Sequence, residues 1–159
     1  MAPGDDAAAS GGQLVRAYTG AVVTVNPPVG PAAAPQVMTT RQLQGLDEVI
    51  AEAEQASGLR FAAYLGDLGV DTRTRAEDLL DSFGPDAAYT VLVAVSPAQR
   101  VVEIVTGTEA ALRISDRGAR VAVLSMVASC TDGDLAGALT NGVRILADQA
   151  GAVPQRAVW

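Results

Sequence analysis

The sequence predicts an α/β fold in which a mixed, mostly parallel β-sheet is flanked by helices on both faces. Two apolar runs, residues 59–66 and 89–95, read as buried strands, and the segment 72–83 between them has helical periodicity. A strand, helix and strand in this order form a right-handed parallel crossover. The turn at 96–100 then leads into a third strand, residues 100–106, which we expect to be antiparallel to its neighbour.

The chain of 159 residues is long enough for one domain. Residues 1–13 carry little apolar bulk and are predicted to form a flexible arm. Residues 14–150 are predicted to form the domain, in which a short strand in AVVTVNPP is closed by two prolines. Residues 151–159 lose the helical periodicity and are predicted to be a loose tail.

The helices are predicted from apolar residues at three- and four-residue steps and from polar residues at their ends. A strongly apolar helix is expected over residues 116–130 and a final helix after it. Thr131 and Asp134 resemble a capping-box pair at the start of that final helix. The other predicted N-caps are Thr39 or Thr40, Asp71 or Thr72, Thr108, and Asp116.

Charge and composition exclude several functions. The formal net charge is −7, so the protein repels nucleic acid and anionic lipid. There is no His, and all 11 basic residues are Arg, which removes hydrolytic triads, His metal ligands and Schiff-base lysines. Cys130 is the single cysteine, so a disulfide within the chain and a cysteine zinc site are excluded. We interpret Cys130 as a small core residue.

The sequence contains no pattern typical of a secretory signal or a membrane span. The longest nearly uncharged apolar stretch, residues 121–130, is much shorter than the ~20 residues that a spanning helix needs. We therefore expect a soluble, cytoplasmic protein with no transmembrane segment.

Acidic residues are expected at the edge of the sheet where the parallel strands begin. Asp86 precedes the second strand, and Glu109 and Asp116 follow the antiparallel strand that ends at this edge. These carboxylates could ligate a weakly bound divalent cation, calcium or magnesium, or act as an acid and base pair. The alternative is that Thr108 and Asp116 only cap helices and Gly107 only makes a tight turn.

The opposite edge offers a second candidate site, because ligands of open α/β sheets usually bind beyond the carboxyl ends of parallel strands. Arg73 and Arg100 could hold a small anion near Ser96, with Asp67 as a partner. The alternative is an ordinary surface salt bridge and a polar turn.

Five segments in order resemble the TPM domain, and more narrowly its actinobacterial branch, which is catalogued as a domain of unknown function. The resemblance covers residues 40–150. It rests on GLRFAAYLGDL, RAEDLLDSFG, YTVLVAVSPAQRVVEIVTG, the spacing from Glu109 to Asp116, and GDLAGALTNGVRIL.

This resemblance implies a mixed sheet flanked by helices, with an acidic cluster at one edge. It also implies roles in divalent-cation binding, weak phosphatase activity, or the repair and assembly of membrane complexes. The chain departs from the family pattern because the early acidic motif is absent around residues 23–29 and no signal or membrane anchor is visible. A calcium ion takes six to eight oxygen ligands, so the loss of one acidic ligand weakens the expected metal site.

Three functions therefore stay open. The first is an interaction, assembly or regulatory module with an unidentified protein partner, which we prefer because no complete catalytic constellation is visible. The second is a metal-dependent phosphatase that uses carboxylates around a cation. The third is a binder of a small anionic ligand. The sequence does not specify an oligomeric state.

Overall fold

The computed structural model describes residues 13–16, 22–25 and 38–154. In these residues the strands are β1 Gln13–Arg16, β2 Val22–Val25, β3 Arg60–Leu65, β4 Thr90–Ser96 and β5 Val101–Thr106. The helices are α1 Thr40–Ser57, α2 Thr72–Asp81, α3 Asp116–Thr131 and α4 Leu135–Ala150. Short 3-10 turns span Gly84–Tyr89 and Ala110–Leu112. None of the helices in these residues is both long and apolar enough to cross a membrane.

The strands form one sheet in the order β1-β2-β3-β4-β5. The two inner pairings, β2 with β3 and β3 with β4, are parallel, and the outer pairings are antiparallel. The predicted mixed sheet is confirmed, including the parallel crossover from β3 to β4 and the antiparallel return of β5. β1 was not predicted, and it adds a second antiparallel pairing.

Helices cover both faces of the sheet, as predicted. Alternate residues of β3 point to opposite sides because successive strand side chains alternate. Phe61 and Leu65 join a large buried cluster with α1, α3 and α4, whereas Tyr64 joins a smaller cluster with α2. Every residue of β4 is buried, which places this strand at the centre of the domain.

The first two helix starts follow the prediction. Thr39 caps α1 through a capping box with Gln42, and Gly58 ends that helix in the left-handed conformation that glycine favours. Asp71 caps α2 by accepting a hydrogen bond from the Thr74 backbone N–H. This bond favours the charged carboxylate and lowers the pKa of Asp71.

Three predicted caps are wrong. Ser115, and not Asp116, is the N-cap of α3: its backbone is extended and its hydroxyl accepts a hydrogen bond from the Gly118 N–H. The 3-10 turn at Ala110–Leu112 begins after Glu109 without a side-chain cap, so Thr108 does not cap it.

The third wrong cap is the pair of Thr131 and Asp134. Because α3 continues through Thr131, its hydroxyl donates to the Val127 carbonyl of that helix. Asp134 alone caps α4, by accepting a hydrogen bond from the Gly137 N–H.

The predicted chain ends lie mostly outside the described residues. Of the predicted arm over 1–13, only Gln13 is described, and it begins β1. Of the predicted tail over 151–159, residues 151–154 are described. The backbone N–H of Val153 in that segment donates to the Ala56 carbonyl at the end of α1.

Candidate interaction surface

The junction after β5 is a place where two backbone segments lie very close together. The backbone N–H of Gly107 donates to the Thr90 carbonyl, and that of Glu109 donates to the Ala88 carbonyl, both at 2.8 Å. A β-carbon on Gly107 would overlap the carbonyl oxygens of Ala87 and Ala88. Glycine is therefore required here for space, and not for the tight turn that the sequence indicated.

The three predicted metal ligands are all exposed. The Glu109 backbone is bonded to the turn that contains Asp86, as the topology predicted, whereas Asp116 begins α3. Within residues 38–154 and the two described strands before them, no three Asp, Glu or Cys side chains form a group that could hold a metal ion. The structure therefore does not assemble Asp86, Glu109 and Asp116 into a cation site.

At the opposite edge, Gln99 connects the loops that follow β3 and β4. Its Oε1 accepts hydrogen bonds from the Leu68 N–H and the Ser96 hydroxyl, each at 2.7 Å. Its Nε2 donates to the Gly69 carbonyl at 2.6 Å. The Asp67 carboxylate is turned to the same loop and accepts a hydrogen bond from the Gly69 N–H. Sequence reasoning missed Gln99, since a polar residue in a turn has no distinguishing pattern.

Arg73 binds groups of α2 and of strand β5. Its Nε donates to Glu77 Oε1 at 3.0 Å, and its Nη1 donates to the Ile104 carbonyl at 2.7 Å and lies 3.7 Å from Glu103 Oε1. Arg73 and Glu77 are four residues apart on α2 and form an exposed salt bridge. The Ile104 carbonyl belongs to the edge strand β5, so Arg73 covers a polar group that would otherwise be open to strand pairing.

The two arginines of the predicted anion site lie in different cavities. Arg73 lines a cavity of about 370 Å³ beside Thr106 and Gly107. Arg100 and Ser96 line another, of about 360 Å³, on the side of α3 and α4. The structure thus brings Ser96 and Arg100 together and places Arg73 elsewhere, and Asp67 lines neither of these two cavities.

Arg113 holds two helix ends together. Its guanidinium donates from Nη1 to the Ser57 carbonyl at the end of α1. From Nη2 it donates to the carbonyls of Ala150, Gly151 and Ala152 at the end of α4, at 3.1, 3.1 and 2.9 Å. A cation at two helix C-termini satisfies carbonyls that have no partner within the helix and interacts favourably with both dipoles. No sequence signal distinguishes this arginine, because its partners are backbone groups far away in the chain.

The outward surface of α3 is apolar. The exposed fractions are 49% for Val121, 66% for Leu124 and 44% for Val127. These residues recur at three-residue steps and therefore lie on one side of the helix. The exposed Arg117 and Arg120 precede them. We call the exposed side chains of Arg117, Arg120, Val121, Leu124 and Val127 the outer face of α3.

The inward surface of α3 is made of small or flexible residues. Gly118, Ala122 and Met126 are its buried residues, and they pack toward α4. Exposed apolar residues on the side of a helix opposite its buried residues are typical of a contact surface. The run VAVLSMVASC has no charged residue, but the sequence alone did not show which side of it faces outward.

The cavity beside Arg100 continues the outer face of α3. Val127 belongs to both, and the rest of the lining is largely apolar, with Pro97, Val102 and Leu135. Cys130 also lines it, and burial, with a smaller contribution from Asp134, raises the pKa of this thiol. A raised pKa keeps the thiol protonated and unreactive at neutral pH, which agrees with a packing role.

Comparison with known families identifies the family of this chain and two relatives. The model of the family described as "Domain of unknown function (DUF5130)" matches residues 11–147. The chain belongs to this family. Two curated relatives from Mycobacterium tuberculosis strains, "Uncharacterized protein MT2543" and "Uncharacterized protein Rv2468c", are each 36% identical over 104 residues, which is 65% of this chain. The match spans 62% of the length of each relative.

Solved structures with similar folds include three bacterial proteins. The BA42 protein of Bizionia argentinensis has a TM-score of 0.65 at 16% identity, over 71% of this chain and 81% of its own. The N-terminal domain of a P. gingivalis protein has a TM-score of 0.63 at 15% identity, over 70% and 75%. The N-terminal domain of the Corynebacterium glutamicum cg2496 protein has a TM-score of 0.60 at 14% identity, over 77% and 83%. At these identities the likeness is one of fold.

In this DUF5130 chain the predicted site residues and the apolar surface of α3 have different surroundings. The predicted acidic residues are exposed, and no three of the described acidic side chains form a metal-sized group. Arg73 is bound to protein groups. The exposed apolar residues of the outer face of α3 continue through Val127 into the adjoining cavity, which Arg100 also lines. Among the described residues the Arg100 guanidinium has no hydrogen bond or ion pair.

Proposed function

We propose that this DUF5130 chain is a protein-interaction module and that its partner docks on the outer face of α3 and the adjoining cavity. The observation that carries the proposal is the exposure of Val121, Leu124 and Val127 on one helix side. Contiguous apolar residues exposed on the surface of a water-soluble domain are typical of interaction sites.

The energetics of that surface favour docking. Covering a Leu or Val side chain contributes roughly 1.5–3 kcal/mol when it passes from full exposure to full burial. Leu124 is 66% exposed in this chain, so a partner would recover much of that value at this residue alone. Arg117 and Arg120 lie at the N-terminal end of the outer face and Arg100 lies at the cavity, so charged groups flank Val121, Leu124 and Val127. An apolar centre with a polar rim is common in interfaces.

We also infer kinship with the TPM domain and its actinobacterial branch. The support is the element order over residues 40–150 and the similar folds found at TM-scores of 0.60 to 0.65. The family roles in assembly of complexes are compatible with an interaction module. A cytoplasmic location and an absence of nucleic-acid binding stay predictions, based on the single cysteine and the net charge of −7.

Ligand binding in the cavity beside Arg100 is a second candidate function. The free guanidinium of Arg100 and the apolar lining favour a small molecule with a carboxylate or phosphate and an apolar body. This candidate site contains Ser96 and Arg100 of the predicted anion site but not Arg73. The metal-dependent phosphatase has less support, because the described acidic residues do not form a metal-sized group.

Site-specific photo-crosslinking in cells that express the chain tests the interaction function. A photoreactive residue at Leu124 should give discrete covalent adducts. The matched control is Val70, which is 107% exposed but lies in the loop before α2, away from α3. We expect no discrete adduct from position 70. Equal adducts at both positions, or none at 124, would contradict an interaction function for α3.

A further inference from the structure

The net charges at the two ends of α3 are of opposite sign. Its first turns carry the exposed Arg117 and Arg120 with one exposed carboxylate, Asp116, and Asp132 and Asp134 are exposed just after its last residue. Among the described residues neither Arg117 nor Arg120 has an ion pair or side-chain hydrogen bond, and Asp132 has no side-chain partner there either. Between these ends lie Val121, Leu124 and Val127.

We propose that the partner is a second copy of this chain, with the two α3 helices packed antiparallel about Leu124. This inference rests on the proposed function, since it names the occupant of the same surface. In a two-fold interface the same patch is used by both copies, so it must be complementary to itself. The outer face of α3 meets this condition when the helices run in opposite directions.

The spacing along the helix aligns the charges. Arg117 is seven residues before Leu124, or about 10 Å along the axis, and Asp132 is eight residues after it, or about 12 Å. An antiparallel pair centred on Leu124 therefore brings each Val121 level with Val127 of the other copy. It brings each Arg117 within one residue, or about 1.5 Å along the axis, of Asp132, which is itself level with Asp116. The two central leucines face each other.

A parallel pair would reverse this complementarity. It would place Arg117 against Arg117 and Asp132 against Asp132, and like charges across an interface oppose association. The helix dipoles also favour the antiparallel arrangement, because the positive end of one helix then lies beside the negative end of the other. The helix dipoles and the net charges of the two helix ends thus favour the antiparallel arrangement, and the level pair of Asp116 and Asp132 reduces that gain.

The size of the surface sets the strength of the dimer. α3 has 16 residues and is about 24 Å long. One helix from each copy covers less than the ~1,600 Å² of a standard interface, so we expect a dimer that dissociates reversibly on dilution. Salt should weaken it, because the pairs of Arg117 and Asp132 are exposed at the rim.

Analytical ultracentrifugation of charge-swap variants tests the proposal. The wild type should show a monomer and dimer equilibrium that shifts with concentration. Arg117→Asp alone and Asp132→Arg alone should each weaken the dimer by roughly tenfold or more, since each variant puts like charges at both ends of the interface. An equimolar mixture of the two variants should form a mixed dimer of about wild-type strength, because both contacts are then attractive.

Two further variants keep the test independent of folding. Leu124→Asp should be monomeric with an unchanged circular dichroism spectrum, and Val70→Asp should dimerise like the wild type. Failure of the mixture to restore the dimer would overturn the antiparallel geometry. A wild type that stays monomeric at all concentrations would overturn the second copy as partner. If position 124 then still gave crosslinks to another protein, the proposed function would survive that result.

Discussion

α3 and α4 have the same length and lie side by side, yet they differ in the residues that they expose. Both span 16 residues. α4 buries Leu139, Val143 and Leu146 together with an alanine and a glycine, and its exposed residues are polar. α3 buries a glycine, an alanine and a methionine, and it exposes two valines and a leucine to solvent.

Packing within the folded monomer accounts for the residue pattern of α4 but not for that of α3. The sequence of α4 follows from core packing, with an apolar side inward and a polar side outward. The contact of the two helices is close, since a β-carbon on Gly142 of α4 would lie 2.5 Å from the Met126 sulfur of α3. Small residues on α3 serve that contact, but nothing in the described monomer explains its outward Val and Leu residues. The proposed docking surface accounts for them.

The largest effect should come from truncating the same residue type on the two helices. Leu139→Ala should lower the free energy of unfolding by about 2–5 kcal/mol, because Leu139 is fully buried and its removal leaves a cavity. Leu124→Ala should change it by less than about 0.5 kcal/mol in the dilute monomer. Urea denaturation measures both values.

Similar losses of unfolding free energy in Leu139→Ala and Leu124→Ala would contradict this difference between α3 and α4. A large loss at Leu124 would mean that this residue already packs against part of the chain, and the outer face of α3 would then belong to the core.

The next largest effect should come from Arg113, which lies just before α3 and holds the end of α4. Arg113→Ala should lower the free energy of unfolding by about 2 kcal/mol, because carbonyls at two helix ends lose a charged donor. Arg117→Ala, which removes an arginine without described partners, is the matched control and should be nearly neutral. Thermal melts of the two variants that coincide would show that the Arg113 clamp contributes nothing to stability.

A smaller effect on stability should distinguish Ser115, the N-cap of α3, from the next residue, Asp116. Ser115→Ala should cost about 1 kcal/mol, because the Gly118 N–H loses its acceptor. Asp116→Ala should cost less, since its carboxylate only interacts with the helix dipole, worth roughly 0.3–1 kcal/mol. If Asp116→Ala proved the more damaging change by thermal denaturation, Ser115 would not be the cap that sets the start of α3.

The smallest effect should come from divalent cations at the same junction. We expect millimolar calcium or magnesium to raise the free energy of unfolding by less than about 0.4 kcal/mol, the value reached when the ligand concentration equals Kd. The reason is that Asp86, Glu109 and Asp116 do not form a metal-sized group. A larger shift that disappears in Glu109→Gln and Asp116→Asn would restore the metal site at this edge, and the phosphatase hypothesis with it.

The regular parts of this fold were predictable because they depend on local pattern. The apolar runs of β3 and β4 are bounded by glycine or a turn, and α1 has a cap and a glycine stop. β1 was missed because four residues, QLVR, carry too little pattern to identify a strand. Its pairing with β2 depends on tertiary context.

The functional features were less predictable because they depend on contacts between residues far apart in the sequence. Arg113 and Gln99 bind backbone groups at distant positions, which no spacing reveals. Arg73 and Arg100 seemed to share an edge, but strand direction alone did not show that the sheet separates their cavities. The apolar run of α3 was visible, whereas its exposed side depends on how α4 packs against it.

Concentration-dependent NMR directly tests whether the outer face of α3 is a docking surface, since it reports which residues of α3 and α4 contact a second molecule. We expect amide and methyl signals of Val121, Leu124 and Val127 to shift as the concentration rises. Signals of the exposed Arg144 and Asp148 on α4 should stay in place. Shifts confined to α4 or to α2, with α3 unchanged at every concentration, would contradict a docking role for the outer face of α3.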